Sequence, residues 1–192
     1  MQIPIFPLHA VLFPEGRLPL RIFEPRYVDM VSSCLRSGSG FGICLIAAGG
    51  EVGEAADIHA VGTLANIVDW EQLPDGLLGI VAQGEGRFRV LASEVRADHL
   101  RVAEVELLPP LSQAALPAEF ESLRELLVRI LDELGGSQAG APRRLDDAEW
   151  VGARLAELLP IDLEIKQRLL EIDEPIARLF HLRDAMLNLN LV

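Results

Sequence analysis

The sequence holds only two cysteines, one lysine and four histidines, and aromatic residues make up 5% of it. Two thiols cannot frame a disulfide-stapled fold. Cys34 falls in a helix-like segment and Cys44 in an apolar run, so both read as small buried thiols. Basic charge is also scarce: 17 Lys and Arg stand against 29 Asp and Glu, a net charge of −12. Residues 1–110 hold 8 basic and 14 acidic groups, and residues 111–192 hold 9 and 15, so neither half is a basic arm. Such a field repels phosphate backbones, so no nucleic-acid partner is expected. No apolar run approaches the ~20 residues that span a bilayer, so no membrane partner is expected. The start, Met-Gln-Ile-Pro-Ile-Phe-Pro, lacks the basic and then apolar pattern of a secretory signal. A cytoplasmic location is the expectation.

Catalytic equipment is missing in the same way. No G-x-x-x-x-G-K-[ST] loop is present to hold nucleotide phosphates. Gly49-Gly50-Glu51-Val52-Gly53 has the wrong glycine spacing for a dinucleotide loop, and Glu51 and Glu54 would face a pyrophosphate. Ser39 in Ser37-Gly38-Ser39-Gly40 has Ser37 and Phe41, not glycines, two residues to either side, so it is no nucleophile elbow. The single lysine, Lys166, sits among charges on an expected exposed helix face, where nothing would desolvate it into a base. Histidines 9, 59, 99 and 181 are scattered, with no H-E-x-x-H or paired-cysteine spacing. No carboxylate pair stands out as an acid/base couple. The expectation is a non-enzyme with no metal and no cofactor.

What is present is an aliphatic core. Half of the 192 residues are apolar, enough for one sizeable domain or two small subdomains. The chain divides near Pro109-Pro110, which sets expected units at 1–110 and 111–192. Prolines 4, 7, 14 and 19 make the opening stretch extended, with strand pieces at edges or bends. Pro25 can open a helix over about residues 25–36, with Tyr27, Val31, Cys34 and Leu35 on one face and Gly38 as a stop. Phe41 to Ala47 reads as a strand, followed by strands near 58–69, 77–83, 86–95 and 99–108. Pro74-Asp75-Gly76 and Gln83-Gly84-Glu85-Gly86 read as turns. Short strands with one inserted helix suggest a closed or half-closed barrel. The second half reads as four helices, near Pro117–Leu134, from Asp146 to before Pro160, from Asp162 through Ile172, and about 174–188. Asp146 and Glu149 resemble a capping box.

Several blocks carry a family resemblance: Ile5-Phe6-Pro7-Leu8, Val11-Leu12-Phe13-Pro14, and Leu18 through Tyr27 with Phe23-Glu24-Pro25-Arg26-Tyr27 at its end. Further on come Phe41-Gly42-Ile43, Val61 through Ile67 with Gly62, and Gly86-Arg87-Phe88-Arg89-Val90-Leu91. In order and spacing they resemble the amino-terminal, substrate-binding domain of Lon proteases in its stand-alone bacterial form, without ATPase and peptidase domains. Trp150 through Pro160 and Lys166 through Glu171 resemble the helical part of that family more weakly. The resemblance implies an α+β fold: a PUA-like pseudo-β-barrel with one inserted helix, followed by a four-helix subdomain. Glu15 departs from the pattern, standing in a turn where the family often has glycine.

The resemblance implies recognition of polypeptides. The expected activity is capture of exposed apolar segments of unfolded or partner polypeptides, as an adaptor or weak chaperone; the alternative is an RNA-binding PUA-like domain, which the acidity opposes. A hydrolase with scattered catalytic residues is a third possibility. The motif residues Phe13, Pro14, Phe23, Glu24, Pro25, Arg26, Tyr27, Gly62, Arg87 and Phe88 are expected to be structural. Phe6, Phe13, Phe23 and Phe88 would fill the barrel, and Glu24 would cap the helix and pair with Arg26 or Arg87. Trp70, Leu73 and Leu77 flank a turn, where burial is hardest, and are the candidate peptide-binding residues. The competing reading folds Trp70 back onto the helical half. A cleft between barrel and bundle is a second candidate, with no residues assigned. The oligomeric state is open, a dimer included.

Overall fold

A computed structural model describes residues 1–134 and 143–188. The chain forms two compact units, Met1–Pro110 and Leu111–Val192.

The first unit contains β1 (Gln2–Leu8), β2 (Arg17–Ile22), α1 (Pro25–Ser37), β3 (Phe41–Ala48), β4 (Asp57–Ile58), β5 (Val61–Gln72), β6 (Leu78–Val95) and β7 (Arg101–Leu107). β1 runs parallel to β3 on one side and antiparallel to β7 on the other. β7 pairs β6, β6 pairs β5, and β5 pairs β3, so the pairings lead round a pseudo-barrel back to β1. β2 adds to the first half of β6, opposite the far half of β5.

Phe88 explains two glycines at once. A Cβ on Gly62 would lie 2.7 Å from the Phe88 ring and 2.5 Å from the Ile43 carbonyl oxygen, and one on Gly42 would lie 2.7 Å from the same ring. Both strands leave out a side chain so that the fully buried ring can occupy the interior. Ile3, Ile5, Cys44, Ala103 and Val105 complete that cluster. A second cluster lies under α1, where Tyr27, Met30, Val31 and Cys34 meet Phe6, Phe41, Ile80 and Ala82. The Tyr27 ring stacks on Phe6 at 4.1 Å. Leu35 is exposed and Met30 takes the inward position, because the buried stripe follows the i, i+3, i+4, i+7 row from Tyr27.

Three local expectations are corrected. Gln83-Gly84-Glu85-Gly86 is not a turn: β6 runs unbroken from Leu78 to Val95. Gly84 serves close approach instead, since a Cβ there would collide with the Phe13 carbonyl oxygen, and its N–H donates to Gly16 O at 2.9 Å. The region expected as one strand near 58–69 is split, β4 ending at Ile58 before β5 begins at Val61. Phe23 is not in the core; it is 55% exposed, while its neighbour Ile22 is buried, as strand alternation requires. Glu15 adopts φ +64, the left-handed region glycine tolerates best, which gives the departure at that turn a conformational cost.

In the second unit a 3-10 turn, Ala118–Phe120, leads into α2 (Glu121–Leu134), followed by α3 (Ala148–Leu158), α4 (Leu163–Glu171) and α5 (Pro175–Asn188). α3 contacts α2, α4 and α5, and Ala148 and the unbroken run Trp150–Ala156 are buried. Its N-cap is Asp147, not Asp146: the Asp147 carboxylate accepts from Glu149 N–H at 3.0 Å. Asp162 caps α4 through Glu164 N–H at 2.8 Å. Arg178 of α5 is fully buried. It donates to the carbonyls of Leu169 at 2.9 Å and Ile172 at 3.1 Å, and meets Glu149 of α3 at 3.5 Å. One guanidinium thus satisfies carbonyls at the end of α4 and joins three helices.

Candidate functional site

The hairpin joining β5 to β6 is held by main-chain bonds. Leu73 N–H donates to Leu77 O and Gly76 N–H to Leu73 O, both at 2.8 Å, and Gly76 sits at φ +84. This is a three-residue loop in which Pro74 and Asp75 fill the turn and glycine takes the left-handed position. Asp75 also accepts from Leu77 N–H at 3.2 Å and pairs with Arg21 of β2.

Below the turn, β2, β6 and β5 lie side by side, with Leu20 opposite Ile80 and Ile80 opposite Trp70. Their surface carries a groove of ≈ 320 Å³ lined by Pro19, Leu20 and Arg21, by Asp69, Trp70 and Glu71, and by Leu73 and Gly79–Val81. Leu73 folds over Gly79, with a side-chain carbon 3.0 Å from where a Cβ would stand. Trp70 is 62% exposed, Leu73 and Leu77 are half-buried, and Leu77 is not part of the lining. Val68, also exposed, extends the apolar surface along β5.

The motif residues lie elsewhere. Phe13 and Phe88 are buried, and Pro14 is half-buried in the loop before β2. Glu24 occupies the N-cap of α1 without a side-chain cap bond, and Pro25 is the first helical residue. Arg26 is buried; it pairs with Glu24 at 3.0 Å, donates to His99 O at 3.0 Å and lies 4.7 Å from the Tyr27 ring centre. Arg87 is buried and its carbonyl accepts from Leu108 N–H at 2.9 Å. Burial raises the Tyr27 pKa and that of Cys34, and pushes the Cys44 thiol up to about 12. A second cavity of ≈ 270 Å³ is lined both by the charged residues Arg26, Asp29, Arg96 and Asp98 and by apolar ones, Ile3, Met30, Leu100 and Val102 among them.

Lys166 departs from expectation. It is half-buried, its pKa is lowered chiefly by desolvation, and Nζ donates to Glu157 O at 2.8 Å, near the end of α3. Sequence neighbours on α4 suggested an exposed face, whereas α3 supplies the cover. Its acceptor is a main-chain carbonyl, so the contact is a helix-end bond. Among the described residues no group of three or more His, Cys, Asp or Glu could hold a metal ion, and no helix is long and apolar enough to cross a membrane.

A pseudo-barrel with a parallel β1–β3 pair and one inserted helix, followed by a helical unit, defines an α+β domain seen in other proteins. Its fold is that of the Lon N-terminal domain protein from Xanthomonas campestris, at TM-score 0.80 and 40% identity over 96% of this chain and 98% of that one. The N-terminal domain of the Mycobacterium avium complex Lon protease shares the fold at TM-score 0.66 and 18% identity, over 96% and 97% of the two chains. The family model described as the ATP-dependent protease La (LON) substrate-binding domain matches residues 2–188, and the chain belongs to that family. The Lon protease of Lawsonia intracellularis is 32% identical over 93% of this chain, and that of Cytophaga hutchinsonii 27% over 92%. The chain spans 22% and 23% of those relatives' length. The matched stretch is the substrate-binding domain alone and includes neither the ATPase nor the protease domain.

Proposed function

We propose that the protein is a non-catalytic polypeptide-recognition module that captures exposed apolar segments in the β2–β6–β5 groove, as an adaptor or weak holdase. The observation that carries this reading is Trp70, 62% exposed on the wall of a ≈ 320 Å³ groove with Leu73 at its end. An exposed indole beside aliphatic walls is the kind of anchor that dominates binding energy. Membership of a substrate-binding family supports it, as does a groove within the size range of ligand sites. Leu77 contributes through the turn rather than by contact. The proposed setting is the cytoplasm, where the free, buried thiols Cys34 and Cys44 stay reduced.

The test is binding of the purified protein to an array of peptides from unfolded proteins, with Trp70→Ala and Leu73→Ala alongside. Capture of apolar and aromatic peptides, weakened about tenfold or more in variants that keep their fold, is the expected result. Failure of the folded protein to hold any peptide would overturn the reading.

A further inference from the structure

One rim of the groove is the free edge of a sheet. β5 pairs β3 only through Thr63, Leu64 and Ala65; beyond that point its only strand partner among the described residues is β6. The outward-facing main-chain groups follow from the register. Leu73 N–H donates to Leu77 O, and antiparallel pairs alternate, so Glu71 and Gly79 exchange bonds while Trp70–Ile80 and Gln72–Leu78 do not. Trp70 and Gln72 therefore direct their N–H and C=O groups away from β6. Trp70 N–H agrees with this, since its acceptor is Asp69 Oδ1, at 2.9 Å.

The same alternation turns Leu18, Leu20 and Ile22 of β2 toward β6, and Pro19 outward. Pro19 has no N–H, so the β2 edge is blunted. On β5 the five residues Val68–Gln72 are all exposed, with no proline among them.

The charge on this edge selects its occupant. Asp69 and Glu71 are exposed and have no cationic partner among the described residues, whereas Asp75 is paired with Arg21. Two copies of β5 brought edge to edge would place these carboxylates together, in a chain of net charge −12. We infer that the occupant is an extended segment of another polypeptide, with basic and apolar residues alternating, which adds as a strand along Val68–Gln72. Its main chain would bond to Trp70 and Gln72, its apolar side chains would lie on the face that carries Trp70, and its Lys or Arg residues would lie on the opposite face with Asp69 and Glu71. This rests on the groove reading above and adds to it the conformation and charge of the bound segment.

The test uses the whole chain and labelled peptides of alternating Lys and Leu, with alternating Glu and Leu for comparison. Two further Lys–Leu peptides are N-methylated, one at every Lys and the other at every Leu. The Lys–Leu peptide should bind about tenfold or more tightly than the Glu–Leu peptide in dilute buffer, and the gap should shrink at high salt. One methylation pattern should cost about tenfold and the other about twofold or less, because alternate amides face the edge. Gln72→Pro, which removes an outward N–H as Pro19 does on β2, should weaken binding about tenfold with the melting curve unmoved.

Equal binding of both methylated peptides, or of Gln72→Pro and the parent chain, would overturn strand addition and leave the groove reading standing. No binding of any peptide by folded protein would overturn both. A concentration-dependent doubling of mass that Gln72→Pro abolishes would give the edge to a second copy and overturn the peptide.

Discussion

The two units solve their packing problems in opposite ways. The barrel unit removes side chains: Gly42 and Gly62 leave room for the Phe88 ring, and Gly84 lets the loop after Phe13 lie on β6. The bundle inserts a large charged side chain, Arg178, at zero exposure. A curved sheet brings inward-pointing residues of several strands to one crowded centre, so space is limiting there. A bundle of short helices leaves carbonyls unpaired at helix ends, so hydrogen-bond donors are limiting instead. Gly152 shows the contrast on one residue type: a Cβ there would meet Arg178 and Leu179 carbons at 3.4 Å, an ordinary contact.

The largest effect should come from Arg178→Leu. It removes a buried donor from the Leu169 and Ile172 carbonyls and one of the two cations near Glu149, which keeps Arg144 at 3.8 Å, and should cost about 3 kcal/mol in urea unfolding followed by the fluorescence of buried Trp150. A loss under about 1 kcal/mol would show that the bundle does not depend on this donor. Next is Gly62→Ala, where the added methyl meets a main-chain oxygen and a ring; a loss of about 1–3 kcal/mol is expected. Gly152→Ala should go the other way, with a gain of up to about 1 kcal/mol from helix propensity. The same sign for both glycines would break the comparison.

Alkaline pH should separate the units more weakly. In the barrel, Cys34, Cys44 and Tyr27 have pKa values raised by burial, with Cys44 at about 12 against 9.0. Above pH 9 the unfolded chain releases protons that the folded barrel retains, so these groups' stabilisation is lost as pH rises toward 12. Lys166 in the bundle has a folded pKa below its usual 10.5. As pH rises through the interval between the two values, the folded lysine loses its proton first and its burial penalty is relieved. Urea titrations at pH 8 and above, with Cys44→Ala and Lys166→Met as references, measure the two opposed slopes; equal slopes in parent and reference chains would sink the assignment.

Much of the architecture was legible because short-range signals carry it. Pro25, Gly38, Asp162 and Pro74-Asp75-Gly76 act on neighbours within a turn, and each stands where its local chemistry suggests. Gly84 did not, since glycine between polar residues looks like a turn until a distant loop is seen resting on it. Phe23 and Lys166 were misplaced for a related reason: residue type sets a preference for burial, but the neighbouring element decides whether cover is there. Of the candidate site, Trp70 and Leu73 could be picked from their place beside the turn, whereas Leu77 lies outside the lining.

The sequence by itself determined the kinds of element, their order, the principal turn and the family, because these follow from period, caps and motif spacing. Tertiary structure alone decided which glycines are spaces for other atoms, where Arg178 finds its acceptors, and that β5 beyond Ala65 pairs with β6 alone among the described residues while Pro19 blunts the edge of β2. Those facts depend on residues far apart in the chain, as when Thr63 Oγ1 reaches Leu12 O at 2.5 Å, and no local pattern records which distant main-chain groups will meet.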